Sequence, residues 1–310
     1  MRGVNIPILR GLRVPAVAAA LLLMPSTHAL AWGNEGHQVI AAIAYARLTP
    51  AVRKKVSAML AADKDPLSAP DFASRATWAD KFRDSDRDTS KVHYRATHNW
   101  HFVNIEIGAA DVDAACNQHP PLPAGTPASE GPPNDCVVDK IEQFVAELGD
   151  AHTAKEEKLL ALKYLLHFIG DVHQPLHAAE HEHDRGGNTV PVMYAKRTTP
   201  DNLHAYWDTH LVEQLGRHPA FVAAALDKQI SAAKAARWSK GSARTWAMES
   251  FAQAKDVAYN FSGQTGFSDD HGGVGERLDL AYEQRALAAV REQLSKAGVR
   301  LAWTLNTALK

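Results

Sequence analysis

Residues 156–177 read EEKLLALKYLLHFIGDVHQPLH, and the part before the proline is the most strongly helical stretch of the chain. Apolar residues cover nearly one whole side of it, which is typical of a helix buried in a protein core. His167 and Asp171 stand four residues apart, so they lie on one face of this helix, one turn from each other. The stretch therefore predicts a strong helix that carries two polar groups near its end.

A histidine and an aspartate on an apolar helix cost free energy unless a partner satisfies them. Pro175 ends or kinks the helix, and His177 can then return toward the same point. A lone buried histidine is more often a satisfied core residue than a metal ligand. Three candidate ligands in one short segment reverse that preference, and the chain holds 16 histidines, the commonest zinc ligand.

Further candidate ligands lie on both sides of this segment. His204 and Asp208 are four residues apart on one face of a predicted helix, although an exposed His–Asp pair is the alternative. Asp80 follows an aromatic residue in a helical segment, and a solvated helix face is its alternative because charged residues surround it. His101 lies inside an apolar patch. Each of these signals is weak by itself.

The beginning of the chain predicts an export signal. Three arginines precede an apolar run at 14–24 that is too short for a membrane span, and Ala29-Leu30-Ala31 forms a small-x-small cleavage site. We expect residues 1–31 to be a cleaved signal peptide and residues 32–310 to be one domain, secreted or periplasmic and not bound to a membrane after cleavage. A retained membrane anchor is the alternative.

Cleavage would make Trp32 the first residue of the mature chain. Its free amine, once deprotonated, is a metal donor, its carbonyl oxygen can close a chelate ring, and His37 lies close enough in sequence to join them. A buried tryptophan that anchors the terminus is the alternative. All candidates together supply five histidines, three aspartates and one amine. That set is too large for one tetrahedral zinc ion and about right for three sites that share a carboxylate.

Composition indicates an ordinary globular protein, with 45% hydrophobic and 22% charged residues among 310. The formal net charge is −1, and without residues 1–31 the chain has 31 basic and 35 acidic residues. The chain therefore lacks the general basic field that many nucleic-acid binders show. Bound zinc would offset the negative charge locally, where a phosphate would bind. A monomer is the default expectation.

The pattern along the chain predicts a mainly α fold, all-α apart from at most a small β-hairpin, with long loops. Strand signals are few, and 189–194 is the best of them. In an oxidising compartment, a disulfide between Cys116 and Cys136 is the default, and it would staple a loop predicted at 108–135. The predicted helices span 35–48, 51–60, 77–82, 137–148, 156–172, 203–215, 219–236, 243–259 and 277–305.

Taken together, these motifs resemble the S1/P1 nuclease family in its bacterial type. The matching residues run in order from Trp32 to about Asp208, and only generic helices follow them. The combination is specific, whereas any single motif is not. The motifs are Trp-Gly-x-x-Gly-His at 32–37, Trp-Ala-Asp at 78–80, His-Phe at 101–102, His-Phe-Ile-Gly-Asp-x-x-Gln-Pro-Leu-His at 167–177, Gly-Gly-Asn at 186–188 and Asn-Leu-His-x-x-Trp-Asp at 202–208.

The resemblance implies three Zn²⁺ ions. One would be held by Asp80, His101, His167 and Asp171. A second would take the Trp32 amine and carbonyl, His37 and Asp171, which would bridge the pair. A third would be held by His177, His204 and Asp208.

The activity that the resemblance implies is endonuclease or phosphodiesterase hydrolysis of single-stranded DNA and RNA to 5′-nucleotides, with 3′-nucleotidase activity. Asp80 and Asp171 would be catalytic. Arg83 is a candidate for stabilising transition-state charge, and a solvated arginine is the alternative. For substrate binding, Phe102 would stack on a base, Asn104 would bond a base edge where many family members carry an acid, and Asn188 would support the site or contact phosphate.

Two other functions fit parts of the pattern. A zinc-dependent phospholipase C shares the fold and an N-terminal tryptophan ligand, but its first histidine lies farther from the tryptophan and its last ligand is a glutamate, where this chain has Asp208. A zinc-storage or adhesion protein would close all four positions of each site with protein ligands. The third predicted site has only three.

Overall fold

The structure, a computed structural model, describes residues 32–195, 197–268 and 274–310. The signal peptide predicted for residues 1–31 therefore lies outside the described residues. Short 3₁₀ turns occur at His98–His101, Ala128–Glu130 and Pro175–His177. The helices up to the middle of the chain are α1 (Gly33–Ala46), α2 (Pro50–Ala62), α3 (Phe72–Arg75), α4 (Trp78–Asp84), α5 (Val92–Thr97), α6 (Val112–Ala115), α7 (Val137–Gly149) and α8 (Lys155–Asp171).

The second half of the described chain combines helices with four short strands. A π-helical segment, Tyr206–His210, joins α9 (Leu203–Ala205) to α10 (Leu211–Glu213), and another, Ala254–Ala258, extends the helix before it. The predicted mainly α fold is confirmed. The remaining elements are α11 (Pro219–Asp227), α12 (Ala232–Trp238), α13 (Ala243–Gln253), α14 (Leu280–Ala308), β1 (Pro191–Tyr194), β2 (Asp201–Asn202), β3 (Thr265–Ser268) and β4 (Val274–Leu278).

Helix α8, which the sequence predicts as a helix over 156–172, lies at the centre of the hydrophobic core. Every residue from Ala161 to Asp171 is buried, and α1, α7 and α14 pack against this helix. A helix surrounded on all sides needs apolar residues all round, which explains the run of leucines. Gly170 allows α1 to approach, because a Cβ at this position would lie 2.7 Å from Nδ1 of His37.

The four strands form one small mixed sheet in the order β2-β1-β4-β3. Strand β1 pairs antiparallel with β2 and parallel with β4, and β3 pairs antiparallel with β4. The strand predicted at 189–194 is thus present as β1, but the sheet is larger than the hairpin expected. Of the three pairings, only β1 with β4 joins segments far apart in sequence, and local periodicity does not register such a contact.

Several predicted helix boundaries differ from the observed ones. The last helix was expected from residue 277, but Arg277 lies in β4, and α14 starts after Asp279, whose side chain accepts a hydrogen bond from Tyr282 N. The helix predicted at 219–236 is divided into α11 and α12, because Ser231 caps a new helix by accepting from Lys234 N. Caps of this kind satisfy backbone N–H groups and restart a helix within an otherwise helical pattern.

The predicted disulfide between Cys116 and Cys136 is present. It connects the end of α6 to the residue before α7, across a loop that is mostly irregular, as expected for 108–135. Within the described residues, no helix combines the length and the apolar character needed to cross a bilayer.

Candidate active site

The structure gathers the predicted metal ligands from separate elements at one end of α8. Helix α1 carries His37, α4 carries Asp80, α8 carries His167 and Asp171, and two 3₁₀ turns carry the histidines at their ends. The helical run that begins with α9 supplies the last two. All of them are buried: Trp32, His37, Asp80, His101, His167, Asp171, His177, His204 and Asp208.

The first group of ligands surrounds the two carboxylates of Asp80 and Asp171. Asp80 Oδ1 lies 3.4 Å from His101 Nδ1 and 3.5 Å from His167 Nε2. Asp171 Oδ2 lies 3.0 Å from His101 Nδ1 and 3.3 Å from His167 Nε2. All four residues of the first predicted zinc site therefore direct their donor atoms at one another.

These separations fit ligands of a shared metal ion. Zinc binds nitrogen and oxygen ligands at about 2.0–2.1 Å, so two ligand atoms on one tetrahedral ion lie about 3.4 Å apart. Most direct hydrogen bonds of this type are shorter, at about 2.7–3.2 Å. The distances of 3.3 Å to 3.5 Å around His167 are closer to the first value.

The second group meets the first at Asp171, whose two oxygens face different partners. Oδ1 lies 3.3 Å from His37 Nε2, whereas Oδ2 faces the histidines of the first group. The rings of His37 and His167 stack with centroids 3.8 Å apart. A carboxylate with its two oxygens divided between two sets of histidines has the arrangement that a bridge between two cations requires.

Trp32 lies at the same place. Its indole Nε1 donates to the Gly170 carbonyl at 2.9 Å, and its backbone nitrogen donates to Asp208 Oδ1 at 3.1 Å. The backbone nitrogen thus contacts a residue that the sequence assigned to the third site, not the second. Trp32, the predicted first residue of the mature chain, is therefore held between the second and third predicted sites.

The third group consists of His177, His204 and Asp208. His177 Nε2 and His204 Nε2 are 3.1 Å apart, and His204 Nε2 is 3.0 Å from Asp208 Oδ2. The other oxygen of Asp208 accepts a hydrogen bond from Gln174 Nε2. One oxygen is therefore used by the protein, and the other faces the histidines.

Backbone carbonyls orient three of the histidines. Nδ1 of His167, His177 and His204 lies 2.7 to 2.8 Å from the carbonyl oxygens of Ala76, His101 and Gly186, respectively. An Nδ1–H that donates to a carbonyl leaves Nε2 deprotonated and free to bind a metal. The sequence signal did not reveal these supporting contacts, because none is local in the chain.

Several ligand atoms in the three groups are buried, and none of the described residues offers them a hydrogen-bond partner. Such atoms are costly unless something else satisfies them, and a bound cation would do so. Donor type, spacing and unsatisfied atoms therefore all fit metal ions. The unpartnered atoms include both ring nitrogens of His37, His167 Nε2, Asp171 Oδ1 and Asp208 Oδ2.

The charges in the first group favour the binding of a metal cation. Burial alone would raise the pKa of Asp80, but Arg83 and the neighbouring histidines hold this pKa well below its usual range. Burial would lower the pKa of His167, but Asp171 and Asp80 raise it to about 10. Burial and then Arg83 lower the pKa of His101 to about 4. Ionised carboxylates thus recruit a proton on His167, as they would recruit a metal ion.

Arg83 is not a solvated arginine, one of the two possibilities its sequence context left open. It is buried, its Nη1 lies 2.7 Å from Asp80 Oδ1, and Nε and Nη2 both donate to Asp84. The guanidinium is therefore held rigidly beside the first group, where it can reach negative charge on a bound substrate.

A cleft of about 440 Å³ opens over these groups. The predicted substrate residues Phe102, Asn104 and Asn188 all line it, together with His177 and His204 from the third group. Sequence reasoning missed other lining residues because they belong to no motif. These are Arg87, Tyr94, His98, Asn99 and Arg185, whereas Leu176 and Asn202, which also line the cleft, lie within the motifs at 167–177 and 202–208.

The missed residues make one wall of the cleft aromatic and basic. The rings of Tyr94 and His98 stack at 4.7 Å, and His98 meets Phe102 edge to face at 5.3 Å. Burial, followed by nearby positive charges that include Arg83 and Arg185, lowers the pKa of His98 to about 4, so the ring is neutral at neutral pH. Aromatic faces beside arginines suit nucleobases joined by phosphates.

Comparison with known proteins gives a consistent result. The S1/P1 nuclease family matches residues 32–310. Endonuclease 2 of Arabidopsis thaliana is 29% identical over 96% of this chain and 97% of its own length. Nuclease S1 of Aspergillus oryzae is 30% identical over 65% of this chain and 61% of its own length. Nuclease P1 of Penicillium citrinum is 26% identical over 89% and 97%, respectively.

Proposed function

The chain belongs to the S1/P1 nuclease family, and from this premise we propose that it is an exported trinuclear-zinc enzyme that hydrolyses single-stranded DNA and RNA to 5′-nucleotides. It is a nuclease, a hydrolase of phosphoric ester bonds. The family is zinc-dependent. The number of ions, the strand preference, the products, a 3′-nucleotidase activity and export are parts of the proposal.

The observation that carries the proposal is that the two carboxylate oxygens of Asp171 face different sets of histidines. One oxygen faces His37 and the other faces His101 and His167, so one residue can join two ligand sets. Asp80 completes the first set, and the Trp32 indole donates to the Gly170 carbonyl next to Asp171, while the Trp32 backbone nitrogen contacts Asp208. His177, His204 and Asp208 form the third set.

When bound, the ions would supply Lewis acidity toward the phosphate and a strong nucleophile near neutral pH. The protein's own groups have separate tasks. Asp80 would orient the nucleophile, and Arg83, fixed by Asp80 and Asp84, would stabilise negative charge that develops on phosphorus oxygens. The third set offers three protein ligands and borders the cleft, which leaves a position for substrate.

The cleft supports a preference for single strands. Phe102 lines it with Tyr94 and His98, and a base must leave its stack to lie on an aromatic side chain. Asn104 and Asn188 also line the cleft and offer amide groups to a base edge or a phosphate. A single strand has the unpaired bases that this arrangement needs.

Export is proposed from the Ala29-Leu30-Ala31 cleavage site and from the chemistry of Trp32. A mature chain that begins at Trp32 would have a free amine at the position where the backbone nitrogen now contacts Asp208. That amine is a metal donor, whereas a peptide nitrogen is not. We propose that the mature enzyme is secreted or periplasmic and acts as a monomer.

The proposal is tested by hydrolysis of single-stranded DNA by the correctly processed protein, with EDTA and then with zinc restored. We expect cleavage that EDTA abolishes and zinc restores, faster on single strands than on duplex, with 5′-phosphate products in chromatography. Intact DNA with fully zinc-loaded protein would contradict the proposal. Phosphatidylcholine in a parallel reaction then tests whether the same site acts on lipid phosphodiesters.

A further inference from the structure

The loop at 180–188 forms part of the cleft wall and has an unusual backbone. Glu182, His183 and Arg185 have φ angles of 50°, 63° and 60°, in the left-handed region that side chains with a Cβ disfavour. Gly186 and Gly187 follow with φ angles of 64° and 77°. Conformations of this kind persist only where the surroundings enforce them, and they are common at functional sites.

Buried contacts enforce this conformation. Asp184 is buried, and its Oδ1 accepts hydrogen bonds from His181 N and from the Tyr259 hydroxyl, both at 3.0 Å. The Asn188 side-chain amide donates to the Arg185 carbonyl at 2.8 Å. The loop is therefore fixed at the residues on both sides of Arg185.

The same loop supports the third ligand group. The carbonyl oxygen of Gly186 lies 2.7 Å from His204 Nδ1 and so orients that imidazole. A Cβ at Gly186 would collide with the Leu176 carbonyl, so only glycine fits there. Arg185 is thus attached directly to a backbone group that positions a candidate metal ligand.

The side chain of Arg185 is exposed and lines the cleft. In the part of the chain that the structure describes, no carboxylate oxygen lies within 4.0 Å of its guanidinium. Arg83 differs, since Asp80 and Asp84 hold it deep beside the ligands. Arg87 also lines the cleft, and its Nη1 lies 3.8 Å from Asp84 Oδ1. Of the three arginines that line the cleft, Arg83 and Arg87 thus face a carboxylate, and Arg185 does not within the described residues.

We propose that Arg185 binds a phosphate of the substrate strand adjacent to the phosphate that is hydrolysed. A guanidinium matches the oxygens of a phosphate in geometry and charge. The ligand groups and Arg83 lie at the cleft base, where the reacting phosphate would sit, so the wall residue meets the next one along the strand. This inference rests on the proposed nuclease function and adds a strand-binding residue to it.

The loop itself provides a matched pair of variants. Arg185→Gly removes the guanidinium, and His183→Gly changes a residue of the same loop with the same backbone conformation. The His183 side chain is 97% exposed and lies outside the cleft lining. Glycine adopts positive φ without strain, so the melting temperature of both variants should be no lower than that of the unmodified protein.

The kinetic test compares a long single strand with a dinucleoside monophosphate, which contains only the phosphate that is cleaved. For Arg185→Gly, we expect KM on the long strand to rise roughly tenfold, the loss typical of one charge-assisted hydrogen bond. The effect on the dinucleoside monophosphate should be much smaller. His183→Gly should match the unmodified protein on both substrates.

Binding gives a readout that is independent of turnover. Fluorescence anisotropy of the zinc-loaded protein with a labelled phosphorothioate oligothymidylate, which resists cleavage, is measured over a range of salt concentrations. Loss of one phosphate contact should reduce the slope of log affinity against log salt by about 0.7 for Arg185→Gly. Arg185→Lys keeps the charge and should keep the slope.

The outcomes separate the two proposals. If the unmodified protein neither binds nor cleaves single strands, the proposed function fails. If it does both and Arg185→Gly behaves as His183→Gly does, the role of Arg185 is refuted while the nuclease function stands. An equal loss on the dinucleoside monophosphate would place Arg185 on the reacting phosphate and overturn the adjacent contact.

Discussion

The segment 167–177 contacts two clusters of mostly buried polar residues, and the clusters differ in how far protein groups satisfy their hydrogen-bonding atoms. The first is the set of candidate metal ligands. The second, the His173 anchor, consists of His173, Glu249, Ser250, Gln293 and Arg300. His173 Nε2 accepts from Arg300 Nη1 at 2.8 Å, and Nδ1 therefore donates to the Ile169 carbonyl at 2.7 Å.

The anchor is nearly complete without any ion. Arg300 Nη2 donates to both oxygens of Glu249, Gln293 Nε2 donates to the His173 carbonyl, and Ser250 Oγ donates to the Val172 carbonyl. The ligand groups instead retain several buried ligand atoms that no group in the described part of the chain satisfies. Buried histidines in one segment therefore serve two purposes, structural anchoring and metal binding. The hydrogen-bond partners of each histidine show which purpose it serves.

The comparison predicts that a change in the ligand groups removes function and metal together. Asp171→Asn should lower the rate of single-strand cleavage by more than about a hundredfold, because it weakens two ligand sets at once. Zinc content, measured by mass spectrometry, should fall by more than one ion per protein. Retention of three zinc ions would refute the bridging role of Asp171.

The N-terminal donor is tested by one additional residue. A protein with methionine retained before Trp32 should lose activity by roughly tenfold or more, since a peptide nitrogen cannot replace an amine ligand. Removal of that methionine by an aminopeptidase provides the control and should restore cleavage. Full activity with the methionine in place would show that the Trp32 amine is not a ligand.

Metal removal should destabilise the ligand groups and not the anchor. Binding to the folded state alone contributes about 4 kcal/mol at a thousandfold excess over Kd, which corresponds to a melting temperature roughly 10 °C lower after EDTA treatment. Calorimetry with and without zinc measures this shift. The shift should be smaller in Asp171→Asn, and an equal shift would mean that zinc stabilises the protein elsewhere.

The smallest effect is expected at the anchor. His173→Leu leaves Arg300 without one acceptor in a buried position and should lower the free energy of unfolding by about 1–3 kcal/mol, measured by urea denaturation. Zinc content should stay the same. Loss of zinc with unchanged stability would contradict the distinction between the two clusters.

Much of the fold could be predicted because its main elements have strong local signals. Helix α8 follows from a long apolar run, and α2 begins where Thr49 and Pro50 supply a cap and a first-turn proline. Strand β4 (Val274–Leu278) was not predicted, and it pairs both with its neighbour β3 and with β1, which lies far away in sequence. Sheet pairing of this kind is decided by tertiary contacts.

The candidate site likewise combines residues that the sequence predicts with residues that only the tertiary structure identifies. The ligand residues carry recognisable motifs, whereas Arg185, Tyr94 and His98 are ordinary residue types without a motif, and only the folded cleft brings them together. For Arg83, the sequence left burial and exposure equally open. The structure resolves this, because Asp80 and Asp84 enclose its guanidinium.

The sequence by itself determined the donor types and the pairs four residues apart, because helix geometry places i and i+4 on one face whatever the surroundings. His167 with Asp171 and His204 with Asp208 are such pairs. Only the tertiary structure decided that the two oxygens of Asp171 face different histidines and that His173 joins Arg300. These relations depend on how helices pack against each other, and packing is set by contacts between residues far apart in the chain.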